Sequence, residues 1–328
     1  MKLRTILCVL FSALMLTSCI GREDISQGQD FSFDTYTSVT ICGSGSKDIL
    51  GSVQKRLSEI SSDFSLCYDT PAMELAAKAP AEKDLYTGCI HRTKALNRLY
   101  GDKINITCGA LTGLWGISTD SPAVPEQEDI LQALELMTDT DYPESLSDFP
   151  DGVKLDFGAV AKGYALDMIY ESLAETDYAV VSLSSSTLLY GSKPDGKKFR
   201  TGITNPETGS GYLGIIESEA AFISTSGGYE RYFEADGKAY SHILDTGTGY
   251  PAETDLVSVT VIVPADTPDG GIMSDFLSTL IYIEGSDSLE KWLACDDIQI
   301  IAADKNGQVC TNCKGFILDE GSGYSYGN

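Results

Sequence analysis

The sequence predicts an α+β protein of mixed sheets with packed helices, arranged as two interlocked lobes around a cleft. Strand-like and helix-like stretches are interleaved without the strict alternation that builds a parallel sheet. A chain of 328 residues, 42% of them hydrophobic, is long and apolar enough to bury a full core. The stretch Lys154-Leu-Asp-Phe-Gly-Ala-Val-Ala-Lys-Gly-Tyr-Ala-Leu-Asp167 joins the two element types at one corner. A short apolar strand ends in the carboxylate of Asp156, turns through Phe157-Gly158-Ala159 and becomes a helix near 160–162. Ala161, Ala165, Met168, Ile169 and Leu173 then recur at helical spacing. Its small residues suit either the close approach of a phosphate to free helix N–H groups or a tight packing corner.

In chain order, residues 31–42 alternate as a first strand. Ile49, Leu50, Val53, Leu57 and Ile60 predict an amphipathic helix, and 85–99 a second one holding His91 on its surface. Residues 104–115 are rich in Gly and Thr and read as a loop anchored by Trp115. Pro125 with the acids after it starts a helix that runs to Met137. Residues 178–183 form a buried strand, followed by Ser184-Ser185-Ser186. Residues 193–197 turn, and 199–203 are extended. An apolar run ends at Ile223-Ser-Thr-Ser-Gly-Gly228, and a strand over 230–234 pairs through Asp236-Gly237 with 240–244. Residues 257–263 are a central strand, 275–283 a helix or the start of one, and 289–295 a short helix. Two strands flank Asp304-Lys-Asn-Gly307.

The N-terminus reads as a leader. Lys2 and Arg4 precede an apolar run too short to span a membrane, and Leu16-Thr17-Ser18-Cys19 has the pattern of a bacterial lipobox. Residues 1–18 are therefore expected to be removed and Cys19 lipidated, with 19–30 as a tether and 31–328 as a single domain. That places the protein at the cell membrane, lipid-anchored on the extracytoplasmic face. The formal charge of −25 becomes −27 without Lys2 and Arg4. Such a surface repels nucleic acid and anionic lipid, so an anionic substrate needs a local cation. The other cysteines outside the leader are Cys42, Cys67, Cys89, Cys108, Cys295, Cys310 and Cys313, an odd and scattered set that is no disulfide framework. Cys310-Thr-Asn-Cys313 is a lone pair, and two histidines in the chain disfavour zinc.

Gly209-Ser-Gly211-Tyr-Leu-Gly214 matches a dinucleotide fingerprint in letters alone, since a strand and not a helix follows it. Asp275 and Thr279 stand four apart, so a helix projects both oxygens from one face as hard ligands for Mg²⁺. The same residues also fit a helix N-cap at Ser274 or Asp275. His242, just ahead of a glycine-rich loop, is a candidate base at neutral pH or an ordinary strand histidine.

Four of these stretches, in order, resemble the FAD:protein FMN transferases, the ApbE-type flavin-transferase lipoproteins. They are Leu155-Asp-Phe-Gly-Ala-Val-Ala-Lys-Gly-Tyr164, Ile223-Ser-Thr-Ser-Gly227 with Tyr229-Glu-Arg-Tyr-Phe233, His242-Ile-Leu-Asp245 with Thr248-Gly-Tyr-Pro251, and Ser274-Asp-Phe-Leu-Ser-Thr279. Phe33-Asp-Thr35, Leu114-Trp-Gly116 and Pro194-Asp-Gly196 are weaker echoes. The resemblance implies Mg²⁺-dependent transfer of FMN from FAD to a Ser or Thr hydroxyl of an extracytoplasmic redox protein, releasing AMP. It implies metal ligands at the Ala159 carbonyl, Asp275 and Thr279, flavin-nucleotide contacts at Asp156, Lys162, Ser226, Gly227 and the backbone near Leu244, and His242 as base. Two alternatives share the site: hydrolysis of FAD to FMN and AMP, and flavin binding without cleavage. The chain departs from the family at Ser184-Ser185-Ser186, where Gly-Gly-Asn is usual, at Thr246, where Pro is usual, and in a longer 264–274 loop.

Overall fold

The computed structural model describes residues 24–67, 70–78 and 83–327, so the leader and Cys19 lie outside the described residues. The first described element is a hairpin, β1 (Ile25–Ser32) and β2 (Thr35–Cys42), where the sequence suggested one strand over 31–42. Phe33 and Asp34 both adopt φ of 54° to make its two-residue turn. Because β1 begins at Ile25, the ordered domain reaches back into the stretch expected to be a tether. Helices α1 (Ser46–Leu66), α2 (Ala72–Lys78) and α3 (Lys83–Tyr100) follow. The 104–115 region, expected as a loop, instead contains α4 (Gly109–Trp115), which buries Trp115 completely. Helix α5 (Gln127–Glu135) is shorter than its periodicity suggested.

The short strand expected to end at Asp156 does not form: among the described residues Lys154 makes only an isolated bridge to Pro71. Helix α6 (Ala161–Tyr170) then leads to β3 (Tyr178–Leu183), β4 (Ser186–Gly191), β5 (Phe199–Thr204), β6 (Tyr212–Ser218) and β7 (Ala221–Ser226). The glycine-rich letters at 209–214 end the β5–β6 hairpin connection and begin β6 at Tyr212, with a strand and not a helix following, as their surroundings indicated. Short hairpins β8 (Tyr232–Ala235) with β9 (Lys238–Ser241) and β10 (Leu244–Asp245) with β11 (Tyr250–Pro251) flank His242. The long β12 (Leu256–Pro264), the helices α7 (Gly270–Glu284) and α8 (Leu289–Leu293), and the strands β13 (Gln299–Asp304), β14 (Gln308–Thr311), β15 (Phe316–Leu318) and β16 (Ser325–Tyr326) complete the chain.

The architecture is α+β. A nine-stranded sheet in the order β1-β2-β3-β4-β7-β12-β13-β14-β16 forms the middle layer, with helices on one face and the small β15-β6-β5 sheet on the other. Alternation along β12 serves both layers: Val259, Val261 and Val263 face the helices, while Ile262 faces the small sheet. Strand β7 does the same, sending Phe222 to the helical core and Ile223 to the other. A third cluster joins Trp115 and Leu111 of α4 to Ile130 of α5 and to Leu244. Trp115 Nε1 donates to the Gly249 carbonyl at 2.8 Å, locking this lobe to the His242 loop. Among the described residues, no helix is long and apolar enough to cross a membrane. Among the described residues no two cysteines are joined in a disulfide, Cys310 and Cys313 included.

Candidate active site

Helix α7 is mostly apolar and almost wholly buried, yet it holds Asp275 in its second turn at 4% exposure. A buried carboxylate is costly unless its lone pairs are occupied. Here Oδ2 accepts the Gly163 N–H at 2.9 Å and Oδ1 accepts the Ser186 hydroxyl at 3.0 Å. Burial raises its pKa, and the Lys162 ammonium and these hydrogen bonds pull the other way. Helix α7 starts at Gly270 and not at Asp275, so Asp275 is no N-cap and shares one helix face with Thr279.

Two glycines set the approach of α6 to α7. A Cβ on Gly163 would lie 2.1 Å from the Gly271 oxygen, and one on Gly271 would lie 2.3 Å from the Gly163 oxygen. Asp167 closes the junction by accepting the Gly271 and Ile272 N–H groups, each at 2.8 Å, which satisfies donors at the start of α7. Because Gly163 gives its N–H to Asp275, that donor is not spent on Ala159. Among the described residues the Ala159 carbonyl accepts no backbone hydrogen bond.

Strand β7 fastens to α7 through hydroxyl pairs, Ser224 Oγ to Ser274 Oγ at 2.9 Å and Ser226 Oγ to Ser278 Oγ at 2.9 Å. Ser226 Oγ also lies 3.0 Å from Thr279 Oγ1, which donates to the Asp275 carbonyl at 3.2 Å. Gly227 follows at the strand end, where a Cβ would strike the Tyr229 ring at 2.4 Å. Lys162 Nζ donates to Ser185 Oγ at 2.6 Å. A cavity of about 90 Å³ beside Ser185 is lined also by Thr225, Tyr229 and Glu230.

His242 sits just past β9. Its N–H donates to the Arg231 carbonyl at 3.0 Å, and its Nδ1 lies 3.1 Å from the same oxygen. That contact fixes the tautomer with hydrogen on Nδ1 and leaves Nε2 as the acceptor. Burial, then the charges of Arg231 and Lys162, push its pKa down to about 4. Arg231 reaches across to the Asp34 carbonyl at 3.2 Å and to Ser118 Oγ at 3.4 Å. Glu230 is solvent-exposed beside the same cavity, within reach of the charges of Lys162 and Arg231.

Asp156 accepts the Gly158 N–H at 2.7 Å, which makes the turn into α6. The Leu244 side chain belongs to the third core cluster, so its backbone is what it can offer a ligand. The structure thus gathers Lys162, Gly163, Ser226, Asp275 and Thr279 at the α6–β7–α7 junction, with His242 coupled to them electrostatically. Sequence reading missed Ser185, Ser186, Glu230 and Arg231 as members. Of these, Ser185 and Ser186 were visible as a departure without an assigned role. Among the described residues, no three His, Cys, Asp or Glu side chains gather to hold a metal.

The class is a mixed α+β fold whose buried, hydrogen-bonded carboxylate helix abuts a small-residue corner. Residues 33–302 match the ApbE family, and the chain belongs to it. It is 31% identical over 229 residues to a Klebsiella pneumoniae protein named FAD:protein FMN transferase, spanning 67% of this chain and 69% of that one. It is 30% identical over 236 residues to a Treponema pallidum protein of the same name, spanning 64% of this chain and 63% of that one. The crystal structure of the ApbE protein from Thermotoga maritima superposes with a TM-score of 0.74 at 24% identity, covering 87% of this chain and 96% of that one. The apo flavinyl transferase ApbE of Pseudomonas stutzeri gives a TM-score of 0.68 at 24% identity, covering 92% and 96%.

Proposed function

We propose that this chain is an FAD:protein FMN transferase that moves FMN from FAD to a Ser or Thr hydroxyl of an extracytoplasmic redox protein. The observation that carries it is the diversion of the Gly163 N–H to Asp275, which leaves the Ala159 carbonyl open beside a buried carboxylate. With Thr279 Oγ1, these offer one carboxylate, one carbonyl and one hydroxyl, a hard oxygen set that fits Mg²⁺ completed by waters and phosphate oxygens. Bound there, Mg²⁺ would neutralise charge on the diphosphate of FAD.

The chain's own residues do the rest. The acceptor hydroxyl oxygen bonds to the phosphorus of the FMN half, the bond to the bridging oxygen breaks, and AMP leaves with that oxygen. The hydroxyl proton passes to His242 Nε2, which is neutral because Arg231, Lys162 and burial hold its pKa near 4. Lys162 supplies a fixed cation, oriented by Ser185, in a chain of formal charge −25. Asp156 shapes the turn that presents the Ala159 and Gly158 backbone, and Ser226, Gly227 and the Leu244 backbone line the nucleotide's path. Displacement at phosphorus depends on alignment and charge more than on covalent help. Lipidation at Cys19 would hold the enzyme on the outer face of the cell membrane, beside an acceptor of an electron-transfer complex.

The test incubates the chain with FAD, Mg²⁺ and a threonine-bearing acceptor domain. A mass gain of one FMN on the acceptor with matching AMP supports transfer. AMP and free FMN without acceptor gain contradict it in favour of hydrolysis, and intact FAD contradicts both.

A further inference from the structure

We propose that the tyrosine-lined cleft beside the His242 hairpins is the docking trough for the acceptor. Its occupant is an extended polypeptide segment, without net negative charge, that bears the accepting hydroxyl. This rests on the transfer reading above and names the partner surface of that site. The cleft encloses about 770 Å³, and none of the residues assigned to metal or nucleotide lines it.

The character of its walls argues against the nucleotide. Lys238 in the wall is held by Glu253 at 2.9 Å, and Lys305 faces Asp255. Among the described residues Glu207 and Glu234 are left as wall charge without an ion-pair partner, which repels a diphosphate and attracts a neutral or basic segment. Tyr232 and Tyr250 stand 50% and 39% exposed. Rigid amphipathic rings of this kind give contact area to a peptide at low entropic cost.

Continuity with the reacting centre is the second argument. Tyr229 lines this cleft and also the 90 Å³ cavity where Ser185 receives the Lys162 ammonium. Strand β5 follows the same course: Thr201 to Thr204 line the smaller cavity, and Pro206 and Glu207, just beyond, line the larger. The cleft floor is Tyr282, whose hydroxyl accepts the Gly228 N–H and touches Ser241, the residue before His242. Tyr282 lies on α7 at seven residues from Asp275, so the floor is tied to the helix that holds the site. A segment laid in the trough therefore runs toward Lys162 along one continuous surface.

The experiment uses the full chain in detergent with FAD, Mg²⁺ and an acceptor domain bearing one reactive threonine. Initial rates of flavin incorporation are followed against acceptor concentration, and FAD binding by flavin fluorescence. Tyr232→Ala and Glu234→Lys should each raise the acceptor KM about tenfold or more. In both, kcat and the FAD dissociation constant should stay within about twofold of the parent. An unchanged acceptor KM in both variants overturns the proposal. Weakened FAD binding overturns it too, and assigns the cleft to the nucleotide. A parent chain that never flavinylates the acceptor overturns the transfer reading itself, and the trough with it.

Discussion

At the scale of the residue, Asp275 is at once the most expensive and the most constrained group in the site. Its oxygens are held by the Gly163 N–H and the Ser186 hydroxyl. Asp275→Ala strands both donors and should cost about 1–3 kcal/mol of stability, read by denaturant melts, besides abolishing Mg²⁺-dependent turnover. Ser186 comes from the triplet that departs from the family pattern, and Ser185 from the same triplet takes the Lys162 ammonium. The departure was legible in the sequence, but its partners lie 89 and 23 residues away. His242 was legible by its place before a glycine-rich loop. The Arg231 carbonyl that selects its tautomer was not, because a hairpin brings it there. His242→Gln should lower transfer about 10²–10⁴-fold with FAD binding retained. With His242 in the proposed role of base, the acid limb of kcat/KM should fall near pH 4. A limb near 6.5 would show that its pKa is not depressed.

At the scale of the element, the α6–α7 junction fixes the geometry. Gly163→Ala places a methyl against the Gly271 backbone, which no rotamer can relieve. It should destabilise the chain by about 1–3 kcal/mol or more and weaken Mg²⁺ binding, both measurable by calorimetry. Asp167 holds the start of α7, and burial raises its carboxyl to about 7 from 3.8. The native state thus keeps this proton more tightly than the unfolded chain does. The resulting stability is fully present below pH 3.8 and is lost as pH rises through 7. Between pH 5 and 8 the parent should lose Tm relative to Asp167→Asn, and parallel Tm curves would contradict this. Periodicity made α1 and α3 legible, because each buries one consistent face, and α6 legible although it is buried on nearly every side. It failed at α4, where Gly and Thr mimic a loop and burial of Trp115 against the 244–250 segment overrides local propensity. It also merged β1 with β2, since the turn uses Phe33 and Asp34 and not the glycine that marks such corners.

At the scale of the whole molecule, the mixed architecture was legible from the interleaving of elements, whereas strand order was not. Sheet neighbours such as β4 and β7, or β7 and β12, are joined across intervening hairpins and loops that no local pattern reveals. That order sets β7 at the centre, so Ser224 and Ser226 can clamp α7 and hold Asp275 toward α6. In the proposed reaction this clamp seats the Mg²⁺ that FMN transfer would require. The direct measurement is acceptor flavinylation against Mg²⁺ concentration for the parent and for Asp275→Asn, which keeps the side chain's shape and removes its charge. The parent rate should rise to saturation with Mg²⁺ while the variant stays at background at every concentration. A variant that matches the parent at saturating Mg²⁺ would contradict the account.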